Sequence, residues 1–155
     1  MCVMTSTAFI GIDPGADGAL AALLPGGGDV RVVPFSKDAY ADEVAGLSGL
    51  VGLCMLEHVG AMPGQGVVST FRFGENFGWI QGLLDAEDIP YELVRPQKWK
   101  KEFGCTSDKN TSIEVARRLF PDVDLRRTPR CTKPHDGIAE ALLLAEYARR
   151  KGAAR

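Results

Sequence analysis

The chain has no Cys-x-x-Cys pair: its four cysteines, Cys2, Cys54, Cys105 and Cys131, are scattered, so neither a zinc ribbon nor a dithiol redox motif fits. Cys54 lies in an apolar run and reads as a small core hydrophobe, and reduced thiols are the expectation. No apolar stretch reaches membrane-spanning length, and the first residues lack the basic flank and long apolar region of a signal peptide. A cytoplasmic protein is therefore expected. No internal repeat is present, and 155 residues suit a single domain, 1–155, that buries a core without disulfide staples. Basic residues are scarce over the first part of the chain: residues 1–94 hold three (Arg31, Lys37, Arg72) against twelve acidic ones, whereas residues 95–133 hold eleven against five. The net charge of -2 says little about partners, but this asymmetry points to a localised basic surface, residues 95–133, on an acidic body.

What the chain does have is a first strand that ends in an acid. Residues 10–18 read Ile-Gly-Ile-Asp-Pro-Gly-Ala-Asp-Gly, and the apolar run before Asp13 delivers its carboxylate to the point where Pro14 and Gly15 break the strand. Asp-Pro-Gly is also ordinary turn chemistry, so the tripeptide alone leaves both readings open. The pattern predicts strands over 9–13, 19–24 and 30–35, joined by short turns as an antiparallel meander, then a helix over 37–50 capped by Ser36 or Asp38. Residues 51–57, Val-Gly-Leu-Cys-Met-Leu-Glu, read as a buried parallel strand that closes in Glu57. After a Gly-rich loop, 59–69, a helix is expected over 70–86. Its Gly74, Gly78 and Gly82 recur every fourth residue and suggest close packing of helix on sheet. A fifth strand over 91–94, a short basic helix over 97–103, a helix over 110–120, a basic loop over 122–133 and a last helix over 134–151 complete an α/β domain with a mixed five-stranded sheet.

In the last helix Asp136 and Glu140 lie four residues apart on one face, while Ile138, Leu142 and Ala145 are expected to pack on the sheet. Like charges at that spacing call for a cation between them, either a divalent metal or a nearby Lys or Arg. With Asp13 and Glu57 they make four carboxylates, a hard-oxygen set suited to magnesium or manganese, and two ions become plausible.

Taken together, Ile-Gly-Ile-Asp-Pro-Gly at 10–15, an apolar strand closing in Glu57, and His-Asp-Gly-Ile-Ala-Glu-Ala-Leu-Leu-Leu-Ala at 135–145 resemble the RuvC-like Holliday junction resolvases of the ribonuclease H-like superfamily. The middle, Phe-Gly-Trp-Ile-Gln-Gly at 77–82 and Arg-Pro-Gln-Lys-Trp-Lys at 95–100 with Lys109 beyond, is most similar to phage and chloroplast members. The resemblance spans residues 8–148. It implies a ribonuclease H-like sheet, three antiparallel and two parallel strands flanked by helices, in a homodimeric, magnesium-dependent endonuclease that places paired, symmetric nicks in four-way junction DNA. Manganese would substitute, two ions per site are expected, and neither a membrane nor a nucleotide cofactor is involved. Asp13, Glu57, Asp136 and Glu140 match the metal-binding acids. Bacterial members space their last two acids three apart, and the residue three before Glu140 is Gly137. Either Asp136 fills the role one position earlier, or His135 serves as ligand or base. Lys109 matches a lysine near the scissile phosphate, although it also reads as a plain helix-start residue. Lys98, Lys100, Lys101, Arg126, Arg127, Arg130 and Lys133, with Lys109, would neutralise DNA phosphates, and Met62, Phe71 and Phe73 are candidates for a wedge at the crossover. His58 reads as structural. The implied setting is the nucleoid, with a phage-encoded origin open.

Two other classes compete. A non-cleaving branched-DNA-binding module would bind junctions with or without magnesium. An actin-like or sugar-kinase-type ATP-binding domain also has an Asp and Gly after its first strand, but needs two such domains around the nucleotide.

Overall fold

The computed structural model describes residues 7–153. Strands β1 (Ala8–Asp13), β2 (Ala19–Leu23) and β3 (Val30–Pro34) form the antiparallel meander, and β4 (Val51–Glu57) and β5 (Tyr91–Val94) extend the sheet in parallel from the other edge of β1. The strand order is β3-β2-β1-β4-β5. The central β1 and β4 are apolar on both faces because both faces carry helices, as their uninterrupted apolar runs require.

Helices α1 (Lys37–Leu47) and α2 (Val67–Ala86) cover one face, where Tyr40, Val44, Ile80 and Leu84 pack on Ile10, Ile12, Leu20 and Leu56. Ser36 caps α1, its Oγ accepting from the Ala39 N–H at 3.3 Å, and the helix ends at Leu47 rather than at residue 50. On the opposite face α5 (Asp136–Ala153) lies along β1 and β2, with α3 (Pro96–Phe103) and α4 (Lys109–Leu119) outside it. Asp108 caps α4 by accepting from the Asn110 N–H at 3.0 Å, which moves its start to Lys109.

Two helix faces differ from expectation. Because α5 is sandwiched between the sheet and α3 and α4, residues 137–148 are all buried, not only the Ile138, Leu142 and Ala145 stripe. Conversely, the Gly74, Gly78 and Gly82 row does not mark a close approach to the sheet: a Cβ at any of them would meet nothing within 4 Å. The helix packs instead through Ile80 and Leu84, and leaves Val67, Val68 and Phe71 exposed at its start.

The close approach lies elsewhere, at Gly11. A Cβ there would overlap the backbone of α5 at Ala141 and Ala145, so the absent side chain is what lets that helix lie directly on β1. The overlap is with backbone, which cannot rotate away. Gly11→Ala is therefore expected to cost roughly 1–3 kcal/mol or more, a fall of about 3–10 °C in Tm. Gly46→Ala, in α1 with open space around it, is expected to leave Tm unchanged or raise it. Thermal unfolding of the two variants checks the pair, and equal melting temperatures would refute the tight seat of α5.

Candidate metal centre

Strand periodicity aims the first two acids. Phe9, Gly11 and Asp13 share the α5 face of β1, and Leu53, Met55 and Glu57 share the same face of β4. Ile12 is in register with Leu56, so Asp13 and Glu57 leave adjacent parallel strands side by side. On α5, Glu140 directly precedes Ala141, whose carbonyl sits over Gly11. The close seat of that helix thus brings a third acid to the strand ends. One carboxylate oxygen from each of Asp13, Glu57 and Glu140 lies within 4.8 Å of the others.

The three acids are held differently. Glu57, 6% exposed, accepts a hydrogen bond at 2.7 Å from Nε1 of Trp99, which is fully buried. Glu140, 7% exposed, pairs with Lys100 at 3.4 Å. Asp13 makes no side-chain hydrogen bond or ion pair among the described residues. Its carboxyl is pushed well above the usual range, first by burial and then by the charges of Glu57, Glu140 and Asp136, with Lys109 opposing. Burial also lifts Glu57, to about 7: the Trp99 hydrogen bond and Lys100 hold it down while Glu140 pushes it up.

Asp136 lies outside the set of three, though near enough for its charge to act on Asp13. It is bound to Lys109 at 2.8 Å, and although burial would raise its carboxyl, that hydrogen bond and charge bring it below the ordinary value. The same bond raises Lys109. The absence of an acid three before Glu140 has a steric reason: a Cβ at Gly137 would press on the Asp17 carbonyl and the His135 ring. His135 accepts the Gly137 N–H on Nδ1 at 3.2 Å, bracing the start of α5. His58 is exposed and stacks on Phe77.

The basic residues divide into two sets. Lys98, Lys101, Arg130 and Lys133 are exposed and carry no ion pair among the described residues. Lys100 is engaged with Glu140, Arg126 forks onto Asp124 at 2.8–3.2 Å, and Arg127 ties its loop to Asp17 and the Ala16 carbonyl. Among the wedge candidates, Met62 (66% exposed) and Phe71 (73%) project freely, whereas Phe73 is half-buried and stacks on Phe77. Trp99 and the pairing role of Lys100 were not foreseen. The available signal was Trp99 and Phe103 one turn apart in an otherwise basic helix, the mark of an anchored face.

The donor set is all oxygen, mostly buried and richer in negative than in positive charge, which suits a hard divalent cation held by Asp13, Glu57 and Glu140.

The sheet order and the helices on both faces define a ribonuclease H-like α/β fold, with Asp13 and Glu57 at the ends of its central strands and Glu140 facing them from α5. Among solved structures the chain is similar to RuvC of Thermus thermophilus, at 18% identity over 94% of this chain and 98% of that one, with a TM-score of 0.60. It is similar to the same organism's RuvC in complex with a Holliday junction substrate, at 16% identity over 90% of each chain and the same TM-score of 0.60. No protein-family model and no curated protein matches the sequence.

The raised acids carry a sign that can be measured. A carboxyl lifted from 4.5 to about 7 makes the folded state hold a proton that the unfolded chain has lost, so this stabilisation is full below about pH 4.5 and disappears as pH rises through about 7. In divalent-free buffer, stability is expected to fall from pH 5 to pH 8, and Glu57→Gln to flatten that fall by on the order of 3 kcal/mol. Denaturant unfolding across the range checks it. Identical slopes for the two proteins would contradict the lifted Glu57.

Proposed function

We propose that the protein is a structure-selective endonuclease that resolves four-way DNA junctions by paired, symmetric phosphodiester hydrolysis. The observation that carries the reading is the meeting of Asp13, Glu57 and Glu140 within 4.8 Å in a fold shared with a RuvC whose structure holds a Holliday junction substrate. A divalent ion, magnesium with manganese as substitute and two per site, would supply polarisation of the scissile phosphodiester and activation of a water. The chain's own contribution is to hold the acids in a dry, crowded position and to ring them with charge. Asp136, beside the set, completes the four-acid site, with His135 as the alternative ligand or base at that end. Lys109, its side chain 70% exposed beside Asp136, is suited to meet developing negative charge on phosphate.

On this reading residues 1–155 are one nuclease domain and residues 95–133 its DNA-binding face. Lys98, Lys101, Arg130 and Lys133 are free to contact phosphates, which position the substrate without reading its sequence. Lys100, Arg126 and Arg127 join them by exchanging their present partners. Met62 and Phe71, the most exposed wedge candidates, would enter the crossover, with Phe73 behind. Two nicks placed symmetrically need two sites, hence a homodimer. The phage and chloroplast likeness of residues 77–82 and 95–100, and a place at the nucleoid, belong to the same reading. A non-cleaving junction binder is disfavoured because it would have no use for three buried acids that repel one another.

Purified protein is expected to cut a synthetic four-way junction in magnesium at paired positions on opposed strands, and to leave linear duplex intact. Asp13→Asn is expected to bind the junction and not cut it. Strand mapping on denaturing gels with gel-shift binding checks both, and cleavage undiminished in excess chelator would overturn the metal-dependent mechanism.

A further inference from the structure

We propose that Trp99 is a positioning residue for Glu57, fixing that carboxylate in the orientation from which it serves a divalent ion. The inference rests on the metal-site reading above and names a residue that the reading does not require. Glu57 ends β4, and the 2.7 Å bond to Trp99 Nε1 is the one side-chain hydrogen bond it makes among the described residues. Trp99 is 0% exposed and is held by the anchored face of α3, with Phe103 one turn away. Its ring is packed in the core that also holds Met55, Val94 and Leu142, so the N–H has no freedom to turn elsewhere.

The chemistry of the donor distinguishes Glu57 from its neighbours. Glu140 and Asp136 are partnered by lysines, Lys100 and Lys109, whose charge competes with any cation for the same carboxylate. Trp99 is neutral, and an indole N–H can only donate. It orients the carboxylate without neutralising it, occupying Oε2 and leaving Oε1 without a hydrogen bond among the described residues. A glutamate has three side-chain torsions to fix, and a hydrogen bond to a ligating carboxylate is what fixes them. Lys100, the next residue, lies 5.4 Å over the Trp99 ring and reaches Glu140, so one short helix braces two of the three acids.

The test is magnesium binding to the full chain, followed by calorimetry in the absence of DNA. Trp99→Phe keeps a flat ring and removes the donor, and is expected to weaken magnesium binding roughly 10–100-fold. Unchanged affinity would overturn the proposal and leave the metal site standing. Should that variant fail to fold, Trp79→Phe decides the matter, since it makes Trp99 the sole tryptophan of the chain. Its emission is then expected to follow the calorimetric isotherm as magnesium is added, and emission that stays constant while calorimetry records binding would overturn the role of Trp99. Absence of magnesium binding to the unmodified protein would instead overturn the metal-site reading, and this inference with it.

Discussion

Three carboxylates crowded at the ends of two parallel strands and one helix are the constraint that orders this structure. Like charges at such separation in a half-dry setting cannot all stay ionised without a counter-charge, and the protein handles the three in different ways. Glu140 is met by a lysine, Glu57 by a neutral donor, and Asp13 by neither, with both Asp13 and Glu57 pushed toward the protonated form. Such crowding is tolerable only where the scaffold is firm. The firmness comes from the backbone contact of α5 with Gly11, two residues before Asp13, and from a fully buried tryptophan on α3.

Much of this scaffold was legible in the sequence because it is written locally. Apolar runs that stop at Asp13 and at Glu57 mark both central strands and their terminal acids, and the turns between β1, β2 and β3 identify the meander. The pair Asp136 and Glu140 could be placed on one helix from spacing alone. What escaped is long-range. Trp99 meets Glu57 across 42 residues of chain, and no periodicity within a short basic helix announces that bond. The four-residue glycine row of α2 suggested tight packing, yet its neighbours are absent, while the isolated Gly11 makes the tight contact. A small residue permits a close approach; only the partner surface decides whether one occurs.

That a glycine, not an acid, stands three residues before Glu140 also has a local cause. Gly137 sits under the Asp17 carbonyl and against His135, where no side chain fits, and Asp136 one position earlier is directed to Lys109. The cation that the spacing of Asp136 and Glu140 calls for is met by two lysines, Lys109 on Asp136 and Lys100 on Glu140. Several of the basic residues that a charge count assigns to a phosphate surface are engaged in holding loops and acids in place. Lys98 and Lys101 on α3 and Arg130 and Lys133 on the 122–133 loop remain as its exposed part without an ion pair among the described residues.

The central claim is that Asp13, Glu57 and Glu140 hold a divalent cation. Its most direct test is anomalous diffraction from crystals of the protein soaked in manganese. The account predicts a manganese peak within ligating distance of all three carboxylates. Manganese bound only elsewhere on the chain, with these three acids uncoordinated, would contradict it.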